Sequence, residues 1–110
     1  MSEKEKLGRL TEISQLLFDQ KMFVLERAAR ARQSSLDRLS ELDRPMDAAD
    51  LPLIQAQEIA LRHALWADHK RREINTMLAR QTAEWIEARE DASRAFGRNQ
   101  VLNRLKGQLS

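Results

Sequence analysis

An all-α fold, an antiparallel two-helix coiled-coil hairpin with the second helix longer than the first, is what this sequence predicts. Three observations lead there. A third of the 110 residues are charged and only three are Gly and two Pro, with Ala, Leu, Arg and Glu prominent; these side chains lose little rotamer freedom in a helix. Apolar residues recur at three- and four-residue steps through two long stretches, the spacing of a helix face. The one proline-marked interruption, "SELDRPMDAADLPLI" at residues 40–54, sits near the middle. The expected organisation is a single hairpin over residues 1–110, with helix 1 at 5–43, a turn at 44–50 and helix 2 at 51–106.

Helix 1 should bury Leu10, Ile13, Leu17, Val24, Ala28, Ala31, Ser35, Leu39 and Leu42. Asp43-Arg44-Pro45 should end it, because Pro pushes the preceding residue out of the α region. Asp47 or Asp50 can cap helix 2, where Pro52 is tolerable in the first turn. Its expected stripe is Leu53, Ala56, Ala60, Ala64, Ala67, Ile74, Leu78, Trp85, Ala92 and Phe96, interrupted by Arg71 and Arg89, whose stems can pack while their heads reach water. Gly97 weakens the helix by about 1 kcal/mol against Ala, and Gly107 suits a frayed end.

A short connection makes the helices antiparallel neighbours. Folding about the turn sets residue i opposite 95 − i, so Leu10 should meet Trp85. Helix 1 would be roughly 55 Å long and helix 2 roughly 80 Å, leaving residues 91–110 as an overhang. That overhang is basic: residues 1–90 carry fifteen basic and sixteen acidic side chains, whereas Arg94, Arg98, Arg104 and Lys106 face Asp91 alone. An acidic partner would be sought there.

Apolar surplus marks two further places. Residues 16–25, "LLFDQKMFVL", spread Leu16, Phe18, Met22, Phe23 and Leu25 over an arc too wide for one partner helix. Either helix 2 rotates to cover them or they meet another protein or a second copy. Ile54, Leu61 and Leu65 fall off the Ala-rich line of helix 2, and either widen the seam or form a docking surface at the turn end. Together with Arg94, Phe96, Arg98, Arg104 and Lys106, these are the candidate partner-binding residues.

Composition and spacing argue against chemistry. Without Cys, neither a disulfide framework nor a thiolate metal site is available. His63 and His69 are six apart, on different sides of a helix, and His69 with Glu73 makes a poor metal site. No Gly-rich phosphate loop occurs, and Ser34 and Ser35 lack an activating base. Hence no catalytic, cofactor or metal-ligating residues are expected. "ERAARAR" (26–32) and "HKRRE" (69–73) would form a basic belt under the 95 − i pairing, but interleaved acids make nucleic acid an unfavoured partner. No run of about 18 apolar residues is present to span a membrane, and the charged start "MSEKEKLGRL" lacks a signal-peptide core, which points to the cytoplasm.

The opening "LGRLTEISQLLFDQK" (7–21) and the tail "WIEAREDASRAFGRNQVLNRL" (85–105), with its Ala-Phe-Gly-Arg step, resemble the small stalk proteins of type III export machines, the flagellar FliJ-like proteins and their YscO-like counterparts. The likeness is one of layout over nearly the whole chain. It implies an antiparallel coiled coil held in the pore of a hexameric export ATPase, touching the membrane export gate and escorting export chaperones. It therefore implies a place at the base of a membrane export apparatus. Self-assembly of two hairpins through residues 16–25 into a four-helix-bundle scaffold or chaperone is the alternative.

Overall fold

The computed structural model describes residues 2–44 and 51–109. It contains two helices, α1 (Glu3–Leu42) and α2 (Leu53–Leu109), with no strand among the described residues. They pack against each other as the antiparallel hairpin expected, and α2 is the longer by 57 residues to 40. Apart from Arg44, the turn assigned to 44–50 lies outside the described residues, as do the candidate caps Asp47 and Asp50.

Local chemistry sets the helix ends. Ser2 caps α1: its Oγ accepts from the Glu5 amide at 3.1 Å, and its carbonyl accepts from the Lys6 amide. Ser2 and Glu5 have the three-residue spacing of a capping box, and Glu3 and Glu5 complement the positive end of the helix. At the other end the Asp43 and Arg44 amides donate to Ser40 and Glu41 carbonyls, a tightening that satisfies orphan acceptors. Pro52 lends its carbonyl to the Ala56 amide at 2.8 Å as α2 begins.

Packing divides into two units, Met1–Arg30 with Thr82–Ser110 and Ala31–Gln81. In the first, the Phe18 and Phe96 rings lie 5.6 Å apart and Asn99 Nδ2 donates to Gln15 Oε1 at 2.9 Å. In the second, Ser35 Oγ donates to Gln81 Oε1, and Arg71 reaches Asp43 at 3.2 Å and Asp68 at 2.7 Å. The numbers of residues paired across the seam add to 114–116.

This register corrects the pairing of i with 95 − i, and with it the overhang at 91–110. Leu105, Gln108 and Leu109 instead share a concavity with Glu3, Lys6, Leu7 and Leu10, and Ala92, Ala95 and Asn99 are buried. The excess length of α2 lies at its beginning. Residues 53–66 precede the first fully buried α2 residue, Ala67, and Leu53, Ile54, Leu61 and Leu65 are all more than 60% exposed. Pairing i with 95 − i assumes a tight turn; the buried segment of α2 instead starts at Ala67, about four turns into the helix.

The buried face of α1 also differs from expectation over its first half. Leu7, Thr11, Ser14, Phe18, Lys21 and Leu25 face α2, alternating steps of four and three in the manner of a coiled-coil seam. Leu10, Ile13, Leu17 and Val24, expected there, are exposed. The occupied seam is narrow and partly polar. Among the described residues the buried apolar side chains are Ile74 and four alanines, joined by Thr11, Ser14, Ser35 and Asn99. Alanine permits close helix approach while removing little apolar area from water.

Candidate partner-binding surfaces

The richest surface lies on α1 between Arg9 and Arg27. Leu10, Ile13, Leu16, Leu17, Phe23 and Val24 are 36–69% exposed, on a face roughly 140° around the helix from the seam. Over the same turns the seam holds Thr11, Ser14 and Lys21 among its apolar residues. The outer face of this segment is therefore more apolar than the inner one. Arg27 stacks its guanidinium 5.9 Å from the centroid of the Phe23 ring, covering one edge of the patch.

The structure separates the five candidates of residues 16–25 into two groups. Leu16 and Phe23 point outward, whereas Phe18, Met22 and Leu25 are half-buried at the seam. Phe18 and Met22 are thus partly covered at the seam, which leaves Leu16 and Phe23 as the candidates of this stretch that stand in water. Leu10, Ile13, Leu17 and Val24 belong to the outer surface instead. The signal that could have found them was present: two overlapping three-and-four spacings on one helix, only one of which a single partner can bury.

A second surface occupies the start of α2, where Ile54, Leu61 and Leu65 are exposed together. Trp66 is half exposed, tilted against His63 with ring centroids 5.6 Å apart, and joins Leu42, Lys70 and Ile74 in a shallow groove. In the basic tail, Arg94 is paired with Asp91, and Phe96 packs against Phe18 with the rings tilted by 53° while remaining about half exposed. Arg98, Arg104 and Lys106 are exposed. Arg94, Gly97, Arg98, Val101 and Leu102 frame an open, largely apolar groove. Arg94, Arg98, Arg104 and Lys106 accordingly lie on the outer side of a paired helix, whereas Phe96 meets α1 at the seam.

The remaining polar clusters are exposed ion pairs. Glu73 accepts from His69 Nε2 at 2.8 Å and from Lys70 at 3.5 Å. Arg71 is engaged by Asp43 and Asp68, so the 69–73 stretch meets the end of α1 and the basic belt with 26–32 is not formed. Such exposed pairs contribute at most about 1 kcal/mol each. Among the described residues no group of three or more His, Cys, Asp or Glu is placed to hold a metal ion. No described helix is long and apolar enough to cross a membrane.

No family model, curated protein or solved structure matches this chain.

Proposed function

We propose that the chain is a non-enzymatic coiled-coil stalk or adaptor, a hairpin that works by being held by other proteins. Following its resemblance to the type III export stalk proteins, we place it with a flagellar-type export apparatus, on the cytoplasmic side of the membrane. It contacts the hexameric export ATPase there, with the export gate and export chaperones as further partners. The supporting observation is the outward face of α1, where Leu10, Ile13, Leu16, Leu17, Phe23 and Val24 remain in water while the occupied seam buries Thr11 and Ser14. Full burial of one such large apolar side chain is worth about 1.5–3 kcal/mol, so an exposed row of them favours association. The exposed cations Arg98, Arg104 and Lys106 give the paired end of the hairpin a positive surface, which an acidic ring interior would attract.

Co-purification with the cognate export ATPase tests the reading. The intact chain should be retained, and the double reversal Arg98→Glu with Arg104→Glu should weaken retention several-fold, an effect that fades as salt rises. Both side chains are exposed, so the reversal leaves the seam intact, unlike truncation after Asp91, which would strip α1 of its partner. No retention of the intact chain would remove the export assignment. Equal retention of the reversed chain would remove the tail from the mechanism.

A further inference from the structure

The outward face of α1 carries information about its occupant, in both its spacing and its charge. Its central column is Lys6, Ile13, Gln20 and Arg27, at intervals of seven, flanked by the pairs Arg9/Leu10, Leu16/Leu17 and Phe23/Val24. This is a second seam of the same three-and-four spacing as the one α2 fills. A side-chain row with that period accepts the knobs of another α-helix. The apolar part covers residues 10–24, about four turns.

Both ends of that apolar part are cationic. Arg9 and Arg27 are eighteen residues apart, five helical turns, which places them on one line about 27 Å apart. Among the described residues neither has an acidic side chain within ion-pair distance. Glu5 stands one turn before Arg9, about 40° off its line, so Lys6 and Arg9 leave that end with a net positive charge of one, and Glu12 and Asp19 lie a quarter-turn off the column, on its flank. A second copy of the chain is a poor occupant. Antiparallel pairing about Leu17 sets Lys6 and Arg9 of one copy beside Arg27 of the other at both ends. Parallel pairing in register sets each arginine beside itself. Either arrangement brings like charges together where the contact closes.

From the column and its charged ends we infer that the outer face of α1 receives one amphipathic helix of a different protein, apolar over about four turns and bearing carboxylates at both ends of that stretch. The inference deepens the adaptor reading and rests on it, by naming the chemistry of a partner; it does not depend on the export assignment. Charge complementarity selects the partner and its register, and Ile13 with the flanking Leu10, Leu16, Leu17, Phe23 and Val24 supplies the contact area.

The test uses the full chain and two synthetic peptides of roughly 22 residues. They share a Leu/Ile face at three-and-four spacing and differ only in carrying Glu or Lys at the ends. Fluorescence anisotropy at low salt should show the Glu-ended peptide binding about tenfold or more tighter, a gap that narrows as salt is added. Arg9→Glu combined with Arg27→Glu should invert the preference. Ile13→Asp, at a position 62% exposed, should abolish binding of both peptides while leaving helicity and the urea midpoint unchanged. Equal affinity for the two peptides, or binding of neither, would overturn the inference. So would a dimer in sedimentation equilibrium that Ile13→Asp disperses, because the second copy would then be the occupant. The two readings fail separately: a chain that prefers the acidic peptide yet ignores the ATPase loses only its export role. Conversely, ATPase retention with no peptide preference removes only the partner described here.

Discussion

Ile13 and Ile74 show how far a residue's type falls short of its role. Both are isoleucines at helix-face positions, yet Ile74 is 3% exposed and Ile13 is 62% exposed. Ile74→Ala should cost about 2–4 kcal/mol in urea unfolding, through lost transfer energy and the cavity left behind. Ile13→Ala should change stability by less than about 0.5 kcal/mol. Asn99 is the converse case. Its Nδ2 donates to Gln15, but its buried Oδ1 has no protein hydrogen-bond partner among the described residues. Asn99→Leu should therefore stabilise the hairpin by about 1 kcal/mol, read as a higher urea midpoint. The wild-type Asn instead helps to fix register, as a polar residue in a coiled-coil seam does. Nothing in the sequence around Asn99 separates it from exposed Asn103; only the pairing with Gln15 does.

Each helix was legible in its existence and approximate span, because propensity and capping act locally. α1 begins at Glu3, just after its Ser2 cap, and ends at Leu42, and α2 runs through both tail glycines to Leu109. Gly97 lies within α2 without a left-handed backbone, and a Cβ there would meet nothing within 4 Å. Gly97→Ala should thus raise stability by about 1 kcal/mol, through helix propensity and a less flexible unfolded chain. Thermal unfolding followed by circular dichroism would show it. The inner face of α1 was legible only beyond Ala28, at Ser35, Leu39 and Leu42, while Ala31, also expected on it, is exposed. Before that point two lines compete. Periodicity selects the more apolar one, Leu10-Ile13-Leu17-Val24, whereas α2 packs against Leu7-Thr11-Ser14-Phe18. A sequence pattern reports that a face is to be buried and is silent on which neighbour buries it. The same ambiguity groups Phe18, which packs against Phe96 of α2, with the exposed Leu16 and Phe23.

For the molecule as a whole, pairing of two long helices is a long-range property, and the sequence constrains it weakly because a seam of alanines can slide by whole heptads at small cost. What pins it here are sparse specific contacts: Phe18 on Phe96, Gln15 with Asn99, Ser35 with Gln81 and Arg71 with Asp43. These contacts move the unmatched length of α2 from its basic end to residues 53–66. They also bring the tail against the start of α1 and leave Leu10, Ile13, Leu16, Leu17, Phe23 and Val24 of α1 facing outward. The chain contains no cysteine, so paired cysteines report register without interference. Gln15→Cys with Asn99→Cys, treated with a short bis-maleimide at low concentration, should give rapid intramolecular cross-linking, while Gln15→Cys with Arg80→Cys should give none. Efficient cross-linking of the second pair in place of the first would return the tail to solvent and contradict the arrangement described.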